Sequence, residues 1–225
     1  MSKICLIIGS KSSLGYEIEK IFKKNNYEVY GTSRKFNTKS KPNEIFLDYT
    51  NIESMNQLKN KIPNIDCLIF CTGILLGKEL NQYEDEEIKR VYQANIIGPL
   101  MILSRINARL NCNCSIVFIG SIAGSAGSYD EVYASSKSAI SGFIKSLAKK
   151  SKNSMRFNSI APGLINDSNM IKQFSDSEIE NHKEETPTHK LNELDHIAQI
   201  CFNICQENWS QLNGQTIDIN GGRYV

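Results

Sequence analysis

The chain has 225 residues, 40% of them hydrophobic, and 26 basic against 24 acidic side chains leave a net charge of +2. That length and apolar content can bury one substantial core. The near-neutral balance excludes a nucleic-acid footprint, and the short basic run Lys149-Lys150-Ser151-Lys152 reads as a solvated helix end.

In chain order, Lys3 to Gly9 reads as a short buried strand that runs into Ser10-Lys11-Ser12-Ser13-Leu14-Gly15 and then a helical pattern at Leu14, Ile18, Ile21 and Phe22. Further strands are predicted near 28–33, 44–48, 66–71, 115–119, 156–161 and 216–220, with helical patterns between them; two amphipathic helices are predicted at 86–110 and 133–150. Alternating strands and helices predict an α/β fold, a doubly wound parallel sheet with helices on both faces and ligands beyond the carboxyl ends of the strands. Residues 165–194 are polar with little apolar periodicity and read as a lid over substrate. No Pro/Gly/Ser-rich linker interrupts the chain, so residues 1–225 are expected to form a single domain. No apolar stretch approaches the ~20 residues of a membrane span. Met1-Ser2-Lys3 leads straight into the first strand without signal-peptide organisation, so a cytoplasmic protein with no membrane partner is expected.

The odd count of 7 cysteines, Cys5, Cys67, Cys71, Cys112, Cys114, Cys201 and Cys205, several of them inside apolar runs, reads as reduced core thiols. Cys112-Asn113-Cys114 is too tightly spaced for the usual zinc loop, and His182, His189 and His196 lack metal spacing and read as solvated surface residues. No metal is expected.

Two patterns carry chemistry. If Ala139, Ile140, Phe143, Ile144 and Leu147 mark a helix, Tyr133 and Lys137 stand at i and i+4 on one face, with Ser121 upstream adding a hydroxyl. A phenol titrates near ~10, so acid/base work near neutral pH asks for about 4 kcal/mol of preferential phenolate stabilisation. One ammonium ~4 Å away, at an effective dielectric of ~20, supplies about that much. The plain alternative is an amphipathic helix that happens to carry a tyrosine and a lysine. The second pattern is the strand, glycine turn and helix at Gly9–Gly15, where backbone N–H groups and a positive helix N-terminus can face a pyrophosphate. Tight turns built from glycine and serine give it a plain alternative too.

Taken together, these patterns resemble the short-chain dehydrogenase/reductase family from end to end. The family's T-G-x-x-x-G-x-G appears as Ile8-Gly9-Ser10-Lys11-Ser12-Ser13-Leu14-Gly15, with Ser13 in place of the middle glycine. Its N-N-A-G turn appears as Phe70-Cys71-Thr72-Gly73, keeping only the glycine, which removes hydrogen bonds that would brace the turn. The resemblance assigns the catalytic roles to Asn95, Ser121, Tyr133 and Lys137. It also matches Asn158-Ser159-Ile160-Ala161-Pro162-Gly163 and the closing Asn220-Gly221-Gly222, while the threonine common after Pro-Gly is out of register, with Asp167 and Ser168 nearest. It implies a Rossmann-type nucleotide-binding domain, nearest in general type to the 3-oxoacyl-carrier-protein reductases.

As the resemblance implies, Ser121 and Tyr133 would hydrogen-bond a substrate carbonyl, Tyr133 would supply its proton, Lys137 would lower the tyrosine pKa and hold the nicotinamide ribose, and Asn95 would anchor a water or plug a helix kink. The cofactor would meet Gly9, Ser10, Lys11, Ser12, Ser13, Leu14 and Gly15, then Ser33 and Arg34, Asp48 and Tyr49, Cys71, Thr72 and Gly73, Asn95, Tyr133 and Lys137, and Pro162, Gly163 and Ile165. Dinucleotide sites for NAD place an acid about 20 residues after the glycines, whereas Thr32-Ser33-Arg34-Lys35 stands here, so NADP(H) is favoured over NAD(H). Reading Arg34 and Lys35 as solvated loop charges leaves NAD(H) open. The expectation is hydride transfer between nicotinamide and a small carbonyl compound or secondary alcohol; the rival is a non-catalytic NADP(H)-binding sensor or assembly subunit. The family also implies that helices 86–110 and 133–150 pack against a second subunit in a homodimer or homotetramer.

Overall fold

The computed structural model describes residues 2–34 and 43–224, so Lys35 lies outside the described residues. Strands β1 (Ile4–Ile8), β2 (Glu28–Ser33), β3 (Glu44–Phe46), β4 (Ile65–Phe70), β5 (Leu110–Ile119), β6 (Arg156–Pro162) and β7 (Thr216–Ile219) form one parallel sheet in the order β3-β2-β1-β4-β5-β6-β7. The order reverses between β1 and β4, which makes their carboxyl ends the switch point where such sheets hold ligands. Helices α1 (Ser13–Lys24), α2 (Ile52–Lys61), α3 (Asp85–Tyr92), α4 (Gly98–Ile106), α5 (Ala123–Ala126), α6 (Glu131–Lys150), α7 (Asp176–Glu184) and α8 (Leu194–Ile204) complete the chain.

Strand periodicity sorts the core into two layers. Leu6 and Ile8 of β1 face one way with Leu68, Phe70, Ile116 and Phe118, against Met55 and Leu58 of α2, Ile102 and Ile106 of α4, and Ile140 and Ile144 of α6. Cys5 and Ile7 face the other way with Cys67, Ile69, Val117 and Ile160, against Ile18 and Phe22 of α1 and Ile197 and Cys201 of α8. The sheet is therefore buried on both sides, as an all-parallel sheet requires. None of the described helices is long and apolar enough to cross a membrane.

Three expectations change. β5 starts at Leu110, ahead of the predicted 115, because the pairing shifts between Ile65 and Cys67 and Asn113 adopts φ +64°; the polar run 111–113 bulges out and hides the strand from periodicity. The helix expected over 86–110 is instead α3 and α4 joined by a π-helical turn at Gln93–Ile97, and it ends at Ile106. Residues 165–194 contain α7, whose Ser175 and Glu178 form a complete capping box that the sequence displays.

Arg156 opens β6 and is buried, and among the described residues no carboxylate enters its hydrogen bonds. It donates to the carbonyls of Ile204 (2.8 Å), Cys205 (3.1 Å), Gln206 (3.3 Å) and Trp209 (3.1 Å), closing the C-terminal end of α8, where a cation meets the negative end of the helix dipole. Arg156→Met keeps the side-chain length but strands these carbonyls, and urea unfolding should show a loss of about 3 kcal/mol.

Candidate active site

The carboxyl ends of β1, β4, β5 and β6 open onto one cavity of about 470 Å³. Its walls carry Ser12, Ser13 and Leu14 at the start of α1, Cys71, Thr72 and Gly73 after β4, Ser121 after β5, Tyr133 and Lys137 of α6, and Pro162, Gly163 and Ile165 at the end of β6 and beyond. A hollow of about 430 Å³ shares Gly73, Leu75, Asn169 and Met170 with it and extends to Arg34 and Tyr49. Gly9, Ser10, Lys11, Gly15, Ser33, Asp48 and Asn95 line neither space.

The glycine turn folds tightly because two positions carry no side chain. Gly9 adopts φ +89°, and a Cβ there would lie 2.9 Å from the Cys71 carbonyl oxygen; a Cβ on Gly15 would lie 2.5 Å from the Gly9 carbonyl oxygen. Ser12 caps α1, its hydroxyl accepting from Gly15 N and donating to Gly9 O, each at 3.0 Å. Buried Ser10 donates to Thr32 O at 3.3 Å, Gly9 N donates to Thr32 Oγ1 at 3.1 Å, and Lys11 pairs with Glu44 at 3.0 Å, so these residues tie the turn to β2 and β3. Asp48 accepts from the backbone N–H and the hydroxyl of Thr50. The turn after β4 finds other braces in place of asparagines: Phe70 stacks on Phe118 with ring centroids 4.6 Å apart, and the Cys71 thiol meets Ser12 Oγ at 3.3 Å. Buried beside the cavity, Thr72 Oγ1 has no hydrogen-bond partner among the described residues, leaving a polar atom for a bound ligand to satisfy. The first-turn N–H groups of α1 likewise have no carbonyl within their own helix.

Tyr133 is 6% exposed and Lys137 5% exposed, one turn apart on α6. Burial pushes the Tyr133 phenol up to about 12, with a Ser121 hydrogen bond acting in the lowering direction and the Asp130 charge raising it. Burial pulls Lys137 down to about 8. Its Nζ donates to Ile119 O at 2.9 Å and stands 5.9 Å from the Tyr133 ring centroid; the influence opposing burial at the phenol is the Ser121 hydrogen bond, where the resemblance had implied the ammonium. A Cβ on Gly73 would come within 3.0 Å of Lys137 Nζ, so the bare glycine leaves room for the ammonium. The Tyr133 hydroxyl donates to Met170 Sδ at 4.0 Å. Asn95 sits in the π turn, accepting from Ile74 N (2.8 Å) and donating to Ile74 O (3.1 Å) and Ser136 Oγ (2.8 Å); it bolts the turn after β4 to α6.

Charge around these spaces has one sign. Lys137, Lys190 and Arg223 line the cavity, Arg34 and Arg90 line the hollow, and among the described residues no carboxylate lines either. Arg34 Cζ lies 5.3 Å from the Tyr49 ring centroid, and burial raises the Tyr49 phenol with Arg34 and Arg90 opposing. His182 corrects its expectation: it is half-buried in the cavity wall, packs edge-on against Phe174 at 5.6 Å, contacts Arg223, and is pulled down in pKa by burial and by that guanidinium. Met170, Arg90, His182 and Arg223 are functional-site candidates the sequence reading missed. Met170, close behind the Pro-Gly motif, and Arg223, directly after the closing Gly221-Gly222, had a nearby signal.

A family model described as enoyl-(acyl carrier protein) reductase matches residues 8–223. Similar curated proteins include 3-oxoacyl-(acyl-carrier-protein) reductase FabG of Buchnera aphidicola, 29% identical over 99% of this chain and 98% of that protein. Carbonyl reductase family member 4 of Xenopus laevis is 26% identical with the same coverage. A short-chain dehydrogenase/reductase (glucose/ribitol dehydrogenase) structure from Brucella melitensis superposes with a TM-score of 0.91 at 21% identity, covering 99% of this chain and 97% of that one. An ElxO variant with NADPH bound gives 0.86 at 26% identity, covering 99% of each. With the parallel sheet and the end-to-end match, the chain belongs to the short-chain dehydrogenase/reductase family of oxidoreductases.

Proposed function

We propose that this protein is an NADP(H)-dependent oxidoreductase interconverting a carbonyl compound and a secondary alcohol, with Tyr133 as acid/base. The observation that carries the reading is the convergence of Tyr133, Ser121 and Lys137 on the cavity into which the α1 N-terminus opens. The residues fit the cofactor: the side-chain-free turn at Gly9 and Gly15, the Thr72 hydroxyl left without a partner among the described residues, and lining charges that are cationic suit a dinucleotide of high negative charge. Ser12, Ser13 and Leu14 would hold the pyrophosphate, Arg34 the 2′-phosphate, and Pro162, Gly163 and Ile165 the nicotinamide end. The NADPH held by the ElxO relative supports the same choice. When bound, the cofactor supplies or accepts a hydride.

Tyr133 and Ser121 hydrogen-bond the substrate oxygen. In reduction Tyr133 passes its proton to that oxygen, and in oxidation it withdraws it. Lys137 holds a cation beside the phenol, and Asn95 positions Lys137 and the turn after β4 through Ile74 and Ser136. Residues 165–194 would close over substrate, with Met170 and Phe174 against the reacting end. The α3–α4 and α6 faces, which leave Ile97 exposed, would join subunits.

Fluorescence titration should show NADPH binding at least tenfold tighter than NADH, and Arg34→Ala should remove about 1–2 kcal/mol of NADPH affinity while sparing NADH. Equal loss for both cofactors overturns the assignment of Arg34. Tyr133→Phe should cut turnover of ketones or acyl thioesters by at least about a hundredfold without weakening cofactor binding; unchanged turnover would leave the binding-protein reading. A phenol held near 12 keeps its proton through the neutral range, so alcohol oxidation, which needs the phenolate, should rise with pH through the alkaline range. Carbonyl reduction should be flat below about 8 and fall above it, as Lys137 loses its charge. Initial rates from pH 6 to 10 check both limbs.

A further inference from the structure

Beyond the residues that face the cavity, one buried carboxylate is tied to the phenol-bearing helix. Asp130 is 0% exposed and caps α6, its Oδ1 accepting from Tyr133 N at 2.8 Å. Its Oδ2 accepts from Gly77 N at 3.0 Å, and the Tyr83 hydroxyl donates to both oxygens, at 2.9 and 2.8 Å. Burying a carboxylate is costly unless its lone pairs are filled. The two backbone donors, the phenol and the α6 N-terminus fill them.

We propose that Asp130 is a positioning residue for Tyr133: it fixes where the phenol-bearing turn of α6 begins and stations a buried anion at the backbone of that turn, with Tyr83 as its counter-donor. The inference rests on the acid/base role proposed for Tyr133. A cap alone does not require this burial or the second phenol, since an exposed serine caps α7. The placement also reaches the lid. Gly77 belongs to the segment whose Leu75 O accepts from Gln173 Nε2 at 2.7 Å, so one carboxylate joins α6, the segment after β4 and the chain that covers the cavity.

The other charges facing this group among the described residues are accounted for. From α6 come Glu131, which accepts from Leu80 N, and Lys137, held by Ile119 O. Lys78 lies 6.0 Å from the Tyr83 ring centroid but is paired with Glu87 of α3 at 2.7 Å. Tyr129 faces Asp130 and Glu178, with burial the main influence raising its phenol. Burial and Asp130 push the Tyr83 phenol up, so it stays a donor across the working range. The negative charge of Asp130 adds to burial in disfavouring the Tyr133 phenolate.

Two variants test this with opposite signs. Asp130→Asn keeps a capping side chain but removes the anion. Its alcohol-oxidation profile should move about half a pH unit lower, an approximately threefold gain in kcat/KM at pH 8. Tyr83→Phe leaves the anion less compensated and should lower the same value about twofold. Thermal unfolding and NADPH titration accompany both, so that lost folding or cofactor affinity is seen directly. A merely structural Asp130 would lower the rate in both variants without moving either profile, and superposable profiles overturn the proposal. If Asp130→Asn does not fold, a Tyr83→Phe profile unchanged or moved to lower pH overturns it alone. A wild type with no cofactor-dependent turnover overturns the acid/base reading and this inference together; a wild type that turns over with unmoved variants overturns only the inference.

Discussion

An ammonium buried, among the described residues, without a carboxylate is the constraint around which the site is arranged. Lys137 enters the space where β4, β5 and α6 meet, and a charge there must find oxygen atoms or give up its proton. The structure supplies the last carbonyl of β5, leaves Gly73 without a side chain so that Nζ fits, and pins the Gly73–Ile74 turn through Asn95. Asn95, which reaches that turn, sits where its helix widens at Gln93–Ile97. The departure from α-helical geometry and the bare glycine are thus two responses to one desolvated cation.

Under the proposed function, cation lining and cavity shape would divide the work between cofactor and substrate. The hollow at the end of β2 and beyond β3 presents guanidinium groups and a buried phenol, whereas the side nearest Tyr133 presents Leu75, Ile122, Tyr129, Met170 and Phe174. Family membership gives an oxidoreductase; under the proposed function, the second set of residues, drawn largely from chain outside the sheet, would select what is reduced or oxidised.

The sheet was legible in the sequence because each buried strand is a short apolar run bounded by turn residues, and both faces of a parallel sheet are apolar. The spacing of Tyr133 and Lys137 was legible because the helix that holds them is long and regular. Where local rules break, the sequence misled. Polar residues 111–113 disguise the first half of β5, and the π turn carries the same apolar residues that a continuous helix would carry. Asp130 looks like an ordinary turn acid until Tyr83 and Gly77, distant in sequence, are brought onto it. His182 looked solvated because its partners, Phe174 and Arg223, meet it only through tertiary folding.

The widened turn at Gln93–Ile97 also acts as a phase shifter. Each residue advances an α-helix by about 100°, so one residue lost from this turn would rotate everything after it by that angle relative to α3. Ile102 and Ile106, which now face the sheet, would swing to the side, and Asn95 would leave the turn after β4. The length of this short segment is therefore fixed more stringently than its composition: side chains there can be exchanged within limits, but the residue count couples the alignment of the core to the alignment of the site.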